Sequence, residues 1–182
     1  MFRTIEYLNV GNERQRNAYK VISTLGIMKD LEDFTPLLCG TIPIEIDIGG
    51  SDLDIILEVH HFNQFGKKVE SLYGDKSEFR SKQTNIRNSP VIKVNFMFEG
   101  FEFELFGQPK PVLKQNAFLH MLIEYRLMQE SPQLKEEVLT LKHQGYKTEP
   151  AFCKILGLQG DPYERLLEYG IEKGIINEMN LS

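Results

Sequence analysis

From residue 91 to residue 106 the chain reads Val-Ile-Lys-Val-Asn-Phe-Met-Phe, then Glu-Gly, then Phe-Glu-Phe-Glu-Leu-Phe, and no other stretch restricts the fold so tightly. Both arms are rich in β-branched and aromatic residues, and a two-residue connection with glycine supplies the positive φ that a tight hairpin needs. The loop length then fixes the register. Phe98 faces Phe101, Phe96 faces Phe103 and Val94 faces Leu105 on one side, while Met97 faces Glu102 and Asn95 faces Glu104 on the other. The first side is apolar and belongs to a core; the second presents two carboxylates.

A second strand carries two more. After the turn signal Gly49-Gly50, residues 51–59 alternate, so that Leu53, Ile55, Leu57 and Val59 share one face and Asp52, Asp54, Ile56 and Glu58 the other. Upstream, the apolar run 36–39 ends at Gly40-Thr41, and an alternating stretch, 42–48, contains no basic residue and reads as extended. Asn12 can cap a helix that Gly26 ends, and a short helical piece follows to about residue 33. Further helices are expected over 62–73, 115–130, 131–144, 149–156 and 161–173, with a basic strand over 79–85. The chain therefore reads as an α+β protein: a mixed β-sheet backed by helices over 1–110, and a C-terminal helical subdomain over 111–182 packed on that core. No internal repeat interrupts it.

Composition narrows the function. A net charge of -5 argues against a protein that grips duplex nucleic acid over its surface, because such binding requires many phosphates to be neutralised. One local exception runs from residue 67 to 93, where Lys67, Lys68, Lys76, Arg80, Lys82, Arg87 and Lys93 outnumber Glu70, Asp75 and Glu78. This segment is either a phosphate-binding patch or a solvated helix face followed by a basic edge strand. Cys39 and Cys153 lack metal-site spacing and read as buried thiols. No apolar run is long enough to span a bilayer, and residues 1–6 do not resemble a leader, so a cytoplasmic protein without membrane contact is expected.

Two carboxylates at i and i+2 on one strand face have Cα atoms roughly 6.5–7 Å apart, close enough to converge on one hard cation. A third acid from a neighbouring strand completes such a site. Asp52, Asp54 and Glu104 meet that requirement with Mg²⁺ or Mn²⁺ as the ion; Glu102 shares the open face but lies nearer the turn. Such a triad orients a triphosphate and offsets charge on the leaving pyrophosphate. The helix starting near Gln115 places Asn116, His120 and Glu124 on one face, either lining a cleft where they bind a base or acceptor or act as acid and base, or, for the last two, as a structural pair on the helix surface. His60 and His61 are adjacent on an extended chain, point oppositely, and read as loop residues. The phenylalanines of the hairpin read as core, not as a base-stacking platform.

Cys39-Gly40-Thr41, a ten-residue spacer and Asp52-Leu53-Asp54-Ile55, with a third acid on a later strand, resemble the polymerase-beta-type nucleotidyltransferase superfamily. More closely, Gly40-Thr41-Ile42-Pro43, Glu104-Leu105-Phe106-Gly107-Gln108, Gln115-Asn116-Ala117 and His120 resemble an uncharacterised bacterial domain-of-unknown-function family grouped with it. The resemblance implies that Asp52, Asp54 and Glu104 are metal ligands, and that Gly40, Thr41 and Ser51 contact the triphosphate of a nucleoside triphosphate. The implied reaction moves a nucleotide monophosphate to a hydroxyl on a small molecule or protein. The chain departs from the family where an Arg-containing helical turn commonly follows the Gly-Ser; Arg80, Lys82 and Lys93 are the alternative sources of positive charge. A non-catalytic binding module that keeps the fold is the rival expectation.

Overall fold

The computed structural model describes residues 2–180, which form two compact units. The first comprises residues up to Pro43 together with Gly50–Val112; the second comprises Ile44–Gly49 and the chain from Leu113 onward.

The first unit is built on five strands: β1 (Leu37–Cys39), β2 (Leu53–Glu58), β3 (Ser77–Ile86), β4 (Ser89–Phe98) and β5 (Phe101–Gln108). They are ordered β1-β2-β5-β4-β3, with β2 and β5 parallel and every other neighbour antiparallel. The β4–β5 hairpin has the expected register throughout, Phe98 with Phe101 through Val94 with Leu105, because Glu99 and Gly100 both take positive φ. Phe96 and Phe103 stack at 5.1 Å, and Tyr73 stacks on Phe96 at 5.0 Å.

Helices α1 (Glu13–Leu25), α2 (Ile27–Asp30) and α3 (Phe62–Tyr73) supply the rest of this core. Ala18, Val21 and Ile22 of α1 and Phe65, Val69 and Tyr73 of α3 pack in one cluster with Leu53, Ile55, Leu57, Val94, Phe103 and Leu105. Asn12 and Gln15 form a reciprocal capping box at the start of α1, and Gly26 ends it in the left-handed region at φ +75°. A 3-10 helix, Glu6–Val10, precedes α1 and was not signalled by any periodicity.

Two expectations are corrected here. Residues 42–48 are not extended: Ile42–Glu45 form a turn in which Glu45 has φ +61°. Pro43 has no N–H to give to a ladder, and the apolar side chains of Ile44 and Ile46 are buried without one. The strand expected from residue 51 begins at Leu53, which leaves Asp52 in the connection just before it.

The second unit contains α4 (Asn116–Glu130), α5 (Gln133–His143), α6 (Thr148–Leu156) and α7 (Pro162–Glu172). Leu119, Ile123, Leu127, Val138, Phe152 and Leu166 are buried in it, and a Cβ on Gly170 would lie 2.4 Å from Ile123 Cδ1, so α4 and α7 approach closely only because that position is glycine. Segment 44–49 belongs to this unit through Lys142 Nζ, which donates to the Ile46 carbonyl at 2.7 Å, and through the Lys135–Glu45 ion pair at 2.8 Å. Among the described residues no helix is long and apolar enough to cross a membrane.

Candidate functional site

Sheet register brings the acids together. In the parallel β2–β5 pair Asp54 lies directly opposite Glu104, and in the antiparallel β4–β5 pair Glu104 lies opposite Asn95, which in turn lies opposite Arg80. Directly paired residues project to the same side, so Asp54, Glu104, Asn95 and Arg80 form one row across four strands. Glu102 lies one step along β5 on that side. Asp54 and Glu104 are half-buried, opposite in direction to the apolar residues that alternate with them.

Positive charge braces this row. Lys93 Nζ lies 2.8 Å from Glu104 Oε2, and the Asn95 side-chain amide donates to Glu102 at 3.0 Å and to Glu104 at 3.4 Å. Arg80 pairs with Glu102. Asp52 is affected most: burial, and then the charges of Glu104 and Glu102, push its carboxyl above the usual aspartate range against the opposing pull of its own backbone N–H and of Lys93. Asp52 and Glu104 are therefore close enough to repel.

Gly40 closes the other side of Asp54. β1 runs antiparallel to β2 with Cys39 opposite Asp54, so the chain leaving β1 passes beside the carboxylate. Gly40 has φ +78°, and a Cβ there would lie 2.0 Å from Asp54 Oδ2. No other residue fits without displacing that carboxylate. Thr41 Oγ1 and Ser51 Oγ are 3.5 Å apart, so the hydroxyls at either end of the 42–50 connection meet. Cys39 is fully buried, and burial followed by the Asp54 charge pushes its thiol up, which makes it an inert neighbour.

Sequence reasoning missed two residues that hold this corner. Arg14, in the first turn of α1, donates from Nη2 to the Ser51 carbonyl at 3.1 Å and lies 4.0 Å over the Phe101 ring. Gln15 donates from its side chain to the carbonyls of Ile42 and Pro43, at 3.0 and 3.2 Å. Both contacts join positions about 27 to 37 residues apart, and nothing in the local pattern of α1 signals them.

The oxygen donors and their mutual repulsion suit a hard divalent cation, and the missing Cβ of Gly40 leaves the room that the Asp54 carboxylate occupies. Among the described residues no three His, Cys, Asp or Glu side chains converge tightly enough to hold an ion as they stand. The carboxylates form a row that would have to draw in, with Glu104 turning from Lys93.

Other candidates lie elsewhere. His60 pairs with Glu58 at 2.9 Å and belongs to a loop, as expected. His120 and Glu124 are not a surface pair: each is 4% exposed inside the helical unit. His120 Nε2 lies 2.8 Å from the Tyr163 carbonyl and Nδ1 lies 3.5 Å from Glu149. Burial, then the Glu149 charge, push the Glu124 carboxyl well up despite Lys142. Burial acts the same way on Glu149, but the hydrogen bond and charge of His120 outweigh it and hold that carboxyl low.

The mixed five-stranded sheet with its helices has a nucleotidyltransferase-like fold, as its likeness to solved structures shows. The Cid1 poly(U) polymerase in its MgGTP-bound form aligns with TM-score 0.53 at 16% identity, over 76% of this chain and 45% of that one. The polymerase core of TRAMP, an RNA surveillance complex, aligns with TM-score 0.54 at 16% identity, over 92% and 59%. A cytoplasmic RNA terminal U-transferase aligns with TM-score 0.50 at 19% identity, over 76% and 42%. This chain spans less than two thirds of each. The sequence belongs to the family described as "Domain of unknown function (DUF4269)", which it matches over residues 20–169. No curated protein matches it.

Proposed function

We propose that this protein is a divalent-metal-dependent nucleotidyltransferase that moves a nucleotide monophosphate from a nucleoside triphosphate to a hydroxyl of a small molecule or protein. The observation that carries this reading is the direct pairing of Asp54 with Glu104 across β2 and β5, with Asp52 close enough to sense the Glu104 charge. Asp52, Asp54 and Glu104 are the residues that would hold Mg²⁺ or Mn²⁺, which when bound supplies Lewis-acid stabilisation of charge on the phosphates. Gly40 offers backbone beside Asp54, and the hydroxyls of Thr41 and Ser51, 3.5 Å apart, are the groups that would meet the triphosphate. The acceptor oxygen attacks the α-phosphorus, the bond to the bridging oxygen breaks, and pyrophosphate leaves. Asp54 or Glu104 takes the proton of the hydroxyl.

A non-catalytic module is favoured by one observation, the Lys93–Glu104 ion pair at 2.8 Å, which already satisfies the third carboxylate. Thermal denaturation against ATP, GTP, CTP and UTP, each with and without Mg²⁺ or Mn²⁺, separates the two. Transfer predicts stabilisation by a nucleotide only when metal is present, about 2.7 kcal/mol at a hundredfold excess over Kd, and loss of that gain in Asp52→Asn. A flat response across the panel in the wild-type protein sinks the transfer reading. Because the similar structures include enzymes named for poly(U) and RNA terminal U addition, a short single-stranded RNA belongs among the acceptors tried.

A further inference from the structure

The basic segment 67–93 divides in the structure. Lys68 pairs with Asp33 at 3.2 Å and Lys76 with Asp75 at 2.7 Å, while Lys67 lines a groove with Phe62 and Glu70 that Arg80 also borders. Arg80, Lys82 and Lys93 share one side of the β3–β4 ladder. With Thr84, Asn95 and the acids Glu102 and Glu104, they line a depression of about 540 Å³, a size typical of small-molecule sites.

Charge in this depression is uneven. Lys93 is matched by Glu104 and Arg80 by Glu102, but Lys82 makes no ion pair among the described residues. Lys82 and Lys93 are also direct cross-strand partners. Like charges so opposed repel, and an anion seated between them relieves that repulsion. The Thr84 hydroxyl lies two residues along the same side of β3, within the same lining. One wall is Glu104, the residue opposite Asp54, so the depression adjoins the carboxylate row on neighbouring strands.

We propose that this depression binds the acceptor, and that the acceptor is a small hydroxyl compound carrying one anionic group, phosphate or carboxylate. Lys82, with Arg80 and Thr84, grips the anion, and the hydroxyl lies toward Glu104. This rests on the transfer reading and adds the acceptor's chemistry to it. A small molecule fits better than a nucleic acid strand, because two of the lining residues are acids and the chain carries a net charge of -5, both unfavourable to a run of phosphates.

The test is an NMR titration of the ¹⁵N-labelled full chain, without nucleotide, using glycerol 3-phosphate, glycerate, glycerol and a short single-stranded RNA. The expected result is a saturable shift of the amides of residues 80–84 and 93–95 with glycerol 3-phosphate or glycerate, the stronger binder naming the anion. Glycerol should leave them in place. Lys82→Ala, an exposed position whose loss leaves the core intact, should weaken binding about tenfold, the effect of one charge-assisted hydrogen bond. No shift with either anion, a response confined to Gly40, Thr41 and Ser51, an unchanged Lys82→Ala, or a response to RNA alone overturns the proposal. Anion binding at Lys82 without transfer from any nucleotide overturns the transfer reading while the anion site stands. Transfer to neutral acceptors that Lys82→Ala leaves unchanged does the reverse.

Discussion

Gly40 shows how one missing methyl shapes the site. Its φ of +78° lies in the left-handed region, and the 2.0 Å approach that a Cβ would make to Asp54 Oδ2 leaves no room for a side chain. Gly40→Ala should cost about 1–3 kcal/mol in urea denaturation, from backbone strain and overpacking together. It should also abolish metal-dependent nucleotide binding, because the displaced group is the Asp54 carboxylate. Asp52 behaves oppositely. Its raised pKa means that the folded chain favours the protonated acid, so ionising it as pH rises through the carboxylate range works against folding. Asp52→Asn therefore leaves the free protein at least as stable at neutral pH while removing metal-dependent stabilisation, a trade between stability and function. The alternation around both aspartates is legible in the sequence; the glycine that fits against one of them is not.

At the scale of elements, the first turn of α1 organises the loop beside the carboxylates. Gln15 caps its own helix and also satisfies the Ile42 and Pro43 carbonyls, which are buried where Pro43 prevents a strand. Gln15→Ala should destabilise the protein by about 1–3 kcal/mol, more than a lost cap alone, because two buried acceptors are left unpaired. Chemical denaturation of the variant checks the magnitude. A loss no larger than that of Asn12→Ala, which removes only the cap, would show that Gln15 does not anchor the turn. The helix itself follows from Asn12, apolar spacing and Gly26. The second duty of Gln15 depends on a contact 27 residues away.

For the whole molecule, the buried acids of the helical unit set a pH dependence separate from the carboxylate row. Glu124 has a folded pKa raised well above 4.5, chiefly by burial and then by Glu149, so stability falls as pH climbs above the ordinary glutamate value. Glu149 has a lowered folded pKa, so the stability it contributes with His120 is lost as pH falls. Glu124→Gln should raise the melting temperature at pH 8 by a few degrees and leave it nearly unchanged at pH 4, where the wild-type carboxyl is protonated already. A gain of equal size at both pH values would remove the ionisation argument. Melting curves from pH 4 to pH 8 for both proteins decide this.

Some of this architecture is written in local pattern. The hairpin register, the alternation that puts Asp54 opposite in direction to Leu53 and Ile55, the opposite placement of Glu104 and Asn95, and the helices closed by Gly26 and Gly74 follow from period, turn chemistry and capping, which act between near neighbours. Pairing β2 with β5, which puts Asp54 opposite Glu104, joins residues 50 positions apart. No local rule selects that partner; burial of Leu53, Ile55, Phe103 and Leu105 on the common core side does. The same holds for Arg14 at Ser51, for the turn at 42–45 that alternation alone reads as a strand, and for His120 and Glu124, whose helical spacing fits a surface or an interior equally well. Sequence determined which side chains share a face; only the tertiary structure decided which faces meet, because that choice rests on nonlocal burial and on polar groups satisfied across the fold.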